Sequence, residues 1–159
     1  WYPSRTAGDA WPRIVIPGTM TSNGPFWQAR AMVSGVEPRY QSPHAPREGS
    51  VILVEPDGSQ DQDRVAVTEG PMCALAAAGE GFLGMAMMGN MPPSSALDTL
   101  LGLGMSASWV VVEDADAPGS LSRVVAFLAS KWQRVSVRVA YPGKDLSACR
   151  PKDRAFLLS

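Results

Sequence analysis

The most regular hydrophobic pattern in the chain is a short apolar run that is followed at once by acidic residues. Residues 109–112 read Trp-Val-Val-Val, and Glu113, Asp114 and Asp116 come within the next four positions. An unbroken, β-branched run of this length is typical of a strand that is buried on both faces, as in a parallel sheet. A Pro-Gly pair and a helical pattern follow. The stretch therefore predicts a central strand, an acidic turn and a helix.

Short strands and helical patterns alternate through the second half of the chain. Strands are predicted at 64–68, 81–88, 108–113 and 135–140, with helices between them at 69–78, 92–103 and 119–132. In the last of these helices, apolar residues recur at spacings of three and four, which places them on one face. Alternation of this kind predicts a parallel sheet with crossover helices.

The first third of the chain has a different, mostly β pattern. Residues 13–16 form one strand, which we expect to end at Pro17, and residues 26–33 form a second strand that pairs with it as a hairpin. Residues 51–55 are a third strand candidate. The predicted fold class is therefore α/β, a parallel-sheet domain with a small N-terminal, mostly β subdomain.

These patterns divide the 159 residues into an N-terminal basic subdomain at 1–62, an α/β domain at 63–150 and a short tail at 151–159. No apolar run is long enough to span a bilayer, and no charged-then-apolar leader is visible. The two cysteines, Cys73 and Cys149, form no C-x-x-C pair, which argues against a structural zinc site and fits a reducing compartment. We therefore expect a cytoplasmic protein without a membrane segment.

Formal charge is unevenly distributed along the chain. The net charge of −1 does not by itself indicate a nucleic-acid binder. Residues 1–50 contain five Arg against three acidic residues, a balance of +2, and residues 51–159 contain nine Lys or Arg against twelve Asp or Glu, a balance of −3. A polyanion bound by the first part and a metal ion bound by the second would produce this distribution.

Acidic residues follow three of the predicted strands. Glu69 follows the first strand of the second half, Asp114 and Asp116 follow the third, and Asp145 follows the fourth after a Pro-Gly turn. Because the carboxyl ends of parallel strands meet at one edge of a sheet, these side chains can converge. Crowded carboxylates repel one another unless a cation lies among them, and an oxygen-only ligand set favours Mg²⁺ or Mn²⁺ over zinc. Taken singly, each acid also fits a helix start, a solvated turn or, for Asp145, a helix N-cap.

Three segments of the second half resemble the TOPRIM domain that bacterial-type primases, topoisomerases and some nucleases share. V-T-E-G-P-M-C-A-L-A at 67–76 is similar to the first motif of that family, a strand followed by Glu-Gly. V-V-V-E-D-A-D-A-P-G at 110–119 is similar to the second motif, a strand followed by D-x-D, and P-G-K-D at 142–145 resembles a Gly-Lys-Asp loop that many primases add.

The TOPRIM resemblance implies roles for the acidic residues and for one lysine. Glu69, Asp114 and Asp116 would be catalytic, and together with Asp145 they would bind Mg²⁺ or Mn²⁺. Lys144 would contact phosphate. The resemblance therefore implies a metal-dependent reaction at a phosphodiester or triphosphate.

The first third resembles the subdomain that precedes TOPRIM in bacterial and phage primases. The similar segments are R-I-V-I-P at 13–17, Q-A-R at 28–30 and P-R-Y-Q-S-P at 38–43. This resemblance implies that Arg30, Arg39 and Arg47 hold template or nucleotide. It narrows the expected function to the catalytic core of a DNA primase, which makes short RNA primers on single-stranded DNA from ribonucleoside triphosphates, as in phage or plasmid replication. A replicative helicase or helicase domain would then be a partner.

Two other functions stay open at this point. A TOPRIM nuclease would use the same acids to cleave phosphodiesters, and a non-catalytic TOPRIM scaffold would bind nucleic acid without turnover. The number of bound metal ions is also open, because Cys73 stands where many primases have an acid.

Two residues near the acids have a specific structural expectation. Cys73 has no basic neighbour in sequence that would activate a thiol, so we expect a small buried helix residue rather than a nucleophile. Glu113 should point away from Asp114, because neighbouring residues on a strand alternate faces.

Overall fold

The structure is a computed structural model that describes residues 3–4, 12–21, 24–43, 51–57, 63–88, 94–102, 108–131 and 134–159. Its strands in chain order are β1 (Pro3–Ser4), β2 (Arg13–Thr21), β3 (Gly24–Ala31), β4 (Tyr40–Gln41), β5 (Ile52–Val54), β6 (Arg64–Thr68), β7 (Leu83–Ala86), β8 (Ser108–Glu113) and β9 (Val135–Val139). Its helices are α1 (Pro71–Ala78), α2 (Ser94–Gly102), α3 (Ser122–Lys131) and α4 (Pro151–Leu158).

The first sheet is antiparallel, in the order β1-β2-β3-β4, and contains the predicted hairpin. One expectation is wrong, because β2 does not end at Pro17 but continues to Thr21. The strand register shifts between Pro17 and Met20, where three steps along β2 match two along β3. A bulge of this kind accommodates a proline, which has no N–H for the ladder.

The second sheet has the order β5-β7-β6-β8-β9. β6 pairs in parallel with both β7 and β8, and β8 pairs in parallel with β9, so the predicted α/β fold with a parallel sheet is confirmed. β5 adds an antiparallel edge strand, although it comes from the segment that the sequence assigns to the N-terminal subdomain. The domain boundary between residues 62 and 63 stays a prediction.

Helices cover both faces of the second sheet. Alternate residues of the central strands, such as Val67 and Val111, belong to one buried cluster with apolar residues of α2 and α3. The residues between them, such as Ala66 and Val110, belong to a second cluster with residues of α1 and α4. This division follows from the period of two along a strand, and it leaves the carboxyl ends of β6, β8 and β9 at one edge.

A third apolar cluster joins the two sheets. Ile16 and Phe26 from the first sheet pack with Ile52 of β5 and with Ala74 of α1. Gly18 allows this approach, since a Cβ there would lie 2.7 Å from the Phe26 ring and 3.0 Å from the carbonyl oxygen of Val51. The first sheet is therefore packed against the edge of the second. Within the described ranges, no helix combines the length and the hydropathy needed to cross a bilayer.

Candidate functional site

A cleft of about 280 Å³ lies at the carboxyl edge of the second sheet, facing the first sheet. Its walls come from both parts of the chain, and they are formed by Gln28, Arg39, Tyr40, Glu69, Gly70, Pro71, Met72, Cys73, Met88, Asp114 and Asp145. Three of the four predicted acids and one of the predicted arginines therefore line the same space.

Glu69 is held at the cleft by the turn between β6 and α1. The buried Thr68 hydroxyl donates to the carbonyl of Gly70 at 3.1 Å and reaches the carbonyl of Met85 at 3.4 Å. Gly70 is extended and precedes Pro71, which starts the helix with a residue whose fixed φ suits that position. Oε2 of Glu69 is buried and has no hydrogen-bond partner among the described residues. A buried acceptor without a donor is a suitable ligand for a cation.

Asp114 is the first residue after β8 and lines the cleft. Its pKa is raised to about 6, first by burial and then by the nearby negative charges of Glu69, Asp145 and Asp116. The other three predicted acids are therefore close enough to Asp114 to affect its ionisation. Asp116 itself is exposed on the following turn and does not line the cleft.

Asp145 both lines the cleft and caps a short 3₁₀ turn at Leu146–Ala148. Its Oδ1 accepts hydrogen bonds from the Ser147 hydroxyl at 2.6 Å and from the Ala148 N–H at 2.8 Å. The helix-cap interpretation is thus correct for this residue, and both bonds use the same oxygen. Lys144, its neighbour, is exposed and does not line the cleft.

Glu113 points away from the cleft, as the alternation of the strand predicts. Its carboxylate is buried and accepts hydrogen bonds from the N–H groups of Gly119 at 2.7 Å and Leu121 at 3.1 Å. Sequence reasoning gave this residue no role. A sequence signal for this role does exist, because Glu113 directly precedes the D-x-D turn and lies shortly before a predicted helix. The first N–H groups of a helix have no acceptor within the helix, so a nearby carboxylate can accept from them.

The basic side of the cleft is organised around Tyr40. The guanidinium carbons of Arg30 and Arg39 each lie 5.8 Å from the centre of the Tyr40 ring, within cation–π range. Burial raises the pKa of the Tyr40 hydroxyl, although both arginines act in the opposite direction. Tyr40 and Gln28 line the cleft and were missed by sequence reasoning, although both lie inside the motifs quoted above.

Arg13 holds the backbone that carries Arg39 and Tyr40. Its side chain is 1% exposed, and Nη1 donates to the carbonyl oxygens of Pro38 at 2.9 Å and Arg39 at 3.4 Å. The N–H of Arg39 in turn donates to Oε2 of Glu37 at 3.2 Å. Arg13 therefore fixes the segment that faces the acids, a role that the R-I-V-I-P segment alone did not reveal.

Arg39 also lines a neighbouring pocket of about 460 Å³, which is formed by residues 30–37 and 39 and therefore includes Arg30. Arg39 thus lines both the cleft and this pocket. The remaining predicted basic residue, Arg47, lies outside the described residues.

Cys73 is a buried residue of α1 that lines the cleft. Burial, reinforced by the charge of Asp145, raises the pKa of its thiol to about 12. The thiol is therefore protonated at neutral pH, which agrees with the expectation that Cys73 is not a nucleophile.

No three Asp, Glu, His or Cys side chains in the described part of the chain are gathered tightly enough to surround a metal ion on their own. Mg²⁺ is commonly bound through one or two carboxylates, with water and substrate phosphate oxygens completing its ligand shell. The unpartnered oxygen of Glu69 and the mutually repelling charges at Asp114 fit such a partial ligand set.

Comparison with known proteins supports the fold. No protein-family model and no curated protein sequence matches the chain. Among solved structures, it is similar to the DnaG primase catalytic domain bound to single-stranded DNA, with a TM-score of 0.55 and 18% sequence identity over 85% of this chain. The chain spans about half of that structure, 47% of its length. The likeness defines a primase-like α/β fold.

Proposed function

We propose that this chain is part of the catalytic core of a DNA primase, with a TOPRIM domain that performs metal-dependent nucleotidyl transfer. The substrates would be ribonucleoside triphosphates and a single-stranded DNA template. A replicative helicase would be a further partner. The observation that carries the proposal is the convergence of Glu69, Asp114 and Asp145, from three distant segments, on a cleft whose opposite wall contains Arg39 and Tyr40.

The acidic wall would bind the cation. Glu69 and Asp114, with Asp145 and the more exposed Asp116 beside them, would hold Mg²⁺ or Mn²⁺ together with phosphate oxygens of the triphosphate. When bound, the ion would neutralise charge on the reacting phosphate and on the pyrophosphate leaving group. The raised pKa of Asp114 supports this, because burial and then the nearby negative charges disfavour its carboxylate, and a bound cation would compensate both effects.

The basic wall would bind the polyanion. Arg39 lines the cleft and, with Arg30, the adjoining pocket, so the two guanidinium groups form a positive surface beside the acids. Such a surface can hold the phosphates of the template or of the incoming nucleotide. The Tyr40 ring lies within cation–π range of both guanidinium groups and holds them beside the cleft.

A primer-synthesis assay tests the proposal. The protein is incubated with single-stranded DNA, labelled ribonucleotides and Mn²⁺ or Mg²⁺, and the products are resolved by length. We expect short RNA products from the wild-type chain and none above background from a variant that carries both Asp114→Asn and Asp116→Asn. A matched double variant, Asp98→Asn with Asp153→Asn, removes one exposed and one partly buried carboxylate, neither of which lines the cleft, and should retain full synthesis.

Two arms of the assay separate the alternatives. Cleavage of labelled DNA with Mg²⁺ and no ribonucleotides, lost in the Asp114/Asp116 variant, would indicate a TOPRIM nuclease instead. Binding of DNA without synthesis or cleavage, whether or not metal is present, would indicate a scaffold. Primer synthesis that survives the loss of both aspartates would overturn the assignment of the site.

A further inference from the structure

The buried carboxylate of Glu113 spans the loop that carries Asp114 and Asp116. Glu113 is the last residue of β8 and is 4% exposed. Its Oε2 accepts a hydrogen bond of 2.7 Å from the N–H of Gly119, and its Oε1 accepts one of 3.1 Å from the N–H of Leu121. One side chain therefore ties the residue before the acidic loop to the backbone after it.

Backbone hydrogen bonds fix the remaining geometry of this loop. The carbonyl of Glu113 accepts from the N–H of Ala140 at 2.9 Å, which anchors the end of β8 to the segment after β9. Inside the loop, the N–H of Ala117 donates to the carbonyl of Asp114 at 3.1 Å. Gly119 has a φ of +84°, a left-handed conformation that glycine adopts without strain. These bonds hold both ends of the loop in place.

A carboxylate suits the position of Glu113 better than a neutral group of the same size. Both donors lie just before α3, where the helix dipole favours negative charge. A buried carboxylate is also tolerated only when its oxygens are hydrogen-bonded, as both are here. A glutamine side chain has only one oxygen acceptor, and its NH₂ group would face a backbone N–H. One of the two hydrogen bonds would therefore be lost.

We propose that Glu113 is a positioning residue, whose carboxylate holds residues 114–118 so that Asp114 faces the cleft. The inference rests on the proposed function in one respect, which is that the loop serves to bind metal. The hydrogen bonds of Glu113 to the loop do not depend on that function. Residues that orient metal ligands from behind typically change metal affinity by about 10–100-fold when they are replaced. We therefore expect Glu113→Gln to weaken Mn²⁺ binding by about 10–100-fold.

The test compares Glu113→Gln with Glu80→Gln in the full chain. Glu80 is a matched control, because it is a partly buried glutamate that pairs with Arg154 at 3.0 Å outside the cleft. Mn²⁺ binding is measured by electron paramagnetic resonance, and the amide signals of residues 114–121 are followed by NMR. We expect the signals of Gly119 and Leu121 to move, and Mn²⁺ affinity to fall, in Glu113→Gln alone.

The Mn²⁺ dependence of primer synthesis, compared between the two variants, adds a second readout of the metal site. At low Mn²⁺, Glu113→Gln should be far less active than wild type, and saturating Mn²⁺ should restore most of its kcat. Glu80→Gln should keep the Mn²⁺ dependence of the wild-type chain. Unchanged Mn²⁺ affinity in Glu113→Gln, despite moved amide signals, would overturn the positioning role.

Failure of the proposed function gives a different result. If the wild-type chain binds no Mn²⁺ and makes no primers, the primase proposal fails. The positioning role of Glu113 is then tested only by the amide signals of the loop. Unmoved amide signals at residues 114–121 in Glu113→Gln would then overturn it. If Glu113→Gln does not fold, hydrogen exchange on the wild-type chain decides: slow exchange at Gly119 and Leu121 is expected, and rapid exchange would contradict the two hydrogen bonds.

Discussion

Ionising Asp114 costs more free energy in the folded chain without a cation than in the unfolded chain. The carboxylate is half-buried, and Glu69, Asp145 and Asp116 add negative charge around it, so the pKa of Asp114 rises from 3.8 to about 6. A group whose folded-state pKa is raised contributes stability that is fully present below its unfolded pKa and is lost as the pH rises through the folded value. The site therefore destabilises the empty fold at neutral pH.

Replacing this carboxylate should stabilise the chain in a pH-dependent way. Without metal, Asp114→Asn should melt at nearly the same temperature as wild type at pH 4 and at a higher temperature at pH 7.5, with the difference growing between them. The two melting temperatures are measured by differential scanning calorimetry in the presence of a metal chelator. Added Mn²⁺ should raise the Tm of wild type more than that of the variant, because a ligand stabilises the state that binds it.

Asp153→Asn is the control for this measurement. Asp153 is partly buried, and its hydrogen bond with Arg150 lowers its pKa, so the sign of its effect on stability is reversed. The loss of Asp153 should give no gain in Tm as the pH rises. A Tm difference for Asp114→Asn that stays constant from pH 4 to pH 7.5 would contradict the pKa shift of Asp114.

The sequence revealed the acids of the site but not the side chains that hold them. Glu69, Asp114 and Asp145 could be predicted because each directly follows a strand or its turn, and strand ends converge in a parallel sheet. Arg13 and Glu113 act through hydrogen bonds to backbone groups that are 25 and 6 residues away. Such partners depend on the three-dimensional path of the chain, which periodicity does not describe.

Helix α1 packs unusually close to β7, and this contact places one wall of the cleft. A Cβ on Gly84 would overlap the carbonyl of Ala74 in the middle of α1, and backbone cannot move aside as a flexible side chain can. Since α1 carries Cys73 at the cleft, the separation between this helix and the sheet determines the shape of the site.

Gly84→Ala should therefore destabilise the chain strongly. Overpacking of a core typically costs about 1–3 kcal/mol, and we expect the upper part of that range because the overlap is with backbone. Urea unfolding followed by circular dichroism measures the loss. Gly102→Ala, at the end of α2 where a Cβ meets no atom within 4 Å, is the matched control and should cost nothing measurable. Equal stability of the two variants would argue against the close contact.

The turn before β4 depends on Arg13. Arg13→Lys keeps the charge but not the planar guanidinium group, so it cannot reproduce both hydrogen bonds to the Pro38 and Arg39 carbonyls. The Arg39 carbonyl keeps its hydrogen bond from the N–H of Ala31. We expect the free energy of unfolding to fall by about 0.5–1.5 kcal/mol, the net contribution of a typical intramolecular hydrogen bond. Single-stranded DNA should bind severalfold more weakly, measured by fluorescence anisotropy, although Arg13 is itself buried. Arg134→Lys, at an exposed position, should change neither quantity.

Element types followed from local sequence more readily than pairing partners did. The β-branched runs at β6 and β8 are buried on both faces and read as central parallel strands. β5 is too short to identify its own partner, and its place beside β7 is decided by contacts that reach across the chain. The continuation of β2 past Pro17 depends on a bulge opposite β3, and the local sequence does not predict this bulge.

Charge separates the chain into two surfaces that face each other across the cleft. The basic wall comes from the first sheet, through Arg39 with Arg30 beside it, and the acidic wall comes from the carboxyl edge of the second sheet. With a net charge of −1, the chain as a whole does not attract a polyanion. Binding of single-stranded DNA should therefore depend on these few arginines and be weak at physiological salt.

The salt dependence of binding measures how many of these arginines contact phosphate. For single strands, each neutralised phosphate contributes about 0.7 to the slope of log affinity against log salt. We expect Arg30→Gln and Arg39→Gln each to reduce the slope by about 0.7, and the double variant by about 1.4, if each guanidinium contacts one phosphate. Fluorescence anisotropy across a series of salt concentrations gives these slopes.

Arg134→Gln provides the control for charge alone. Arg134 is exposed and precedes β9, so it lies at the amino edge of the sheet, away from the cleft. Its loss changes the net charge as much as the loss of Arg30 or Arg39, but it removes no phosphate contact and should leave the slope unchanged. If all three single variants shift the slope equally, DNA binding follows overall charge rather than the basic wall. An unchanged slope in the Arg30/Arg39 double variant would place the DNA on another surface.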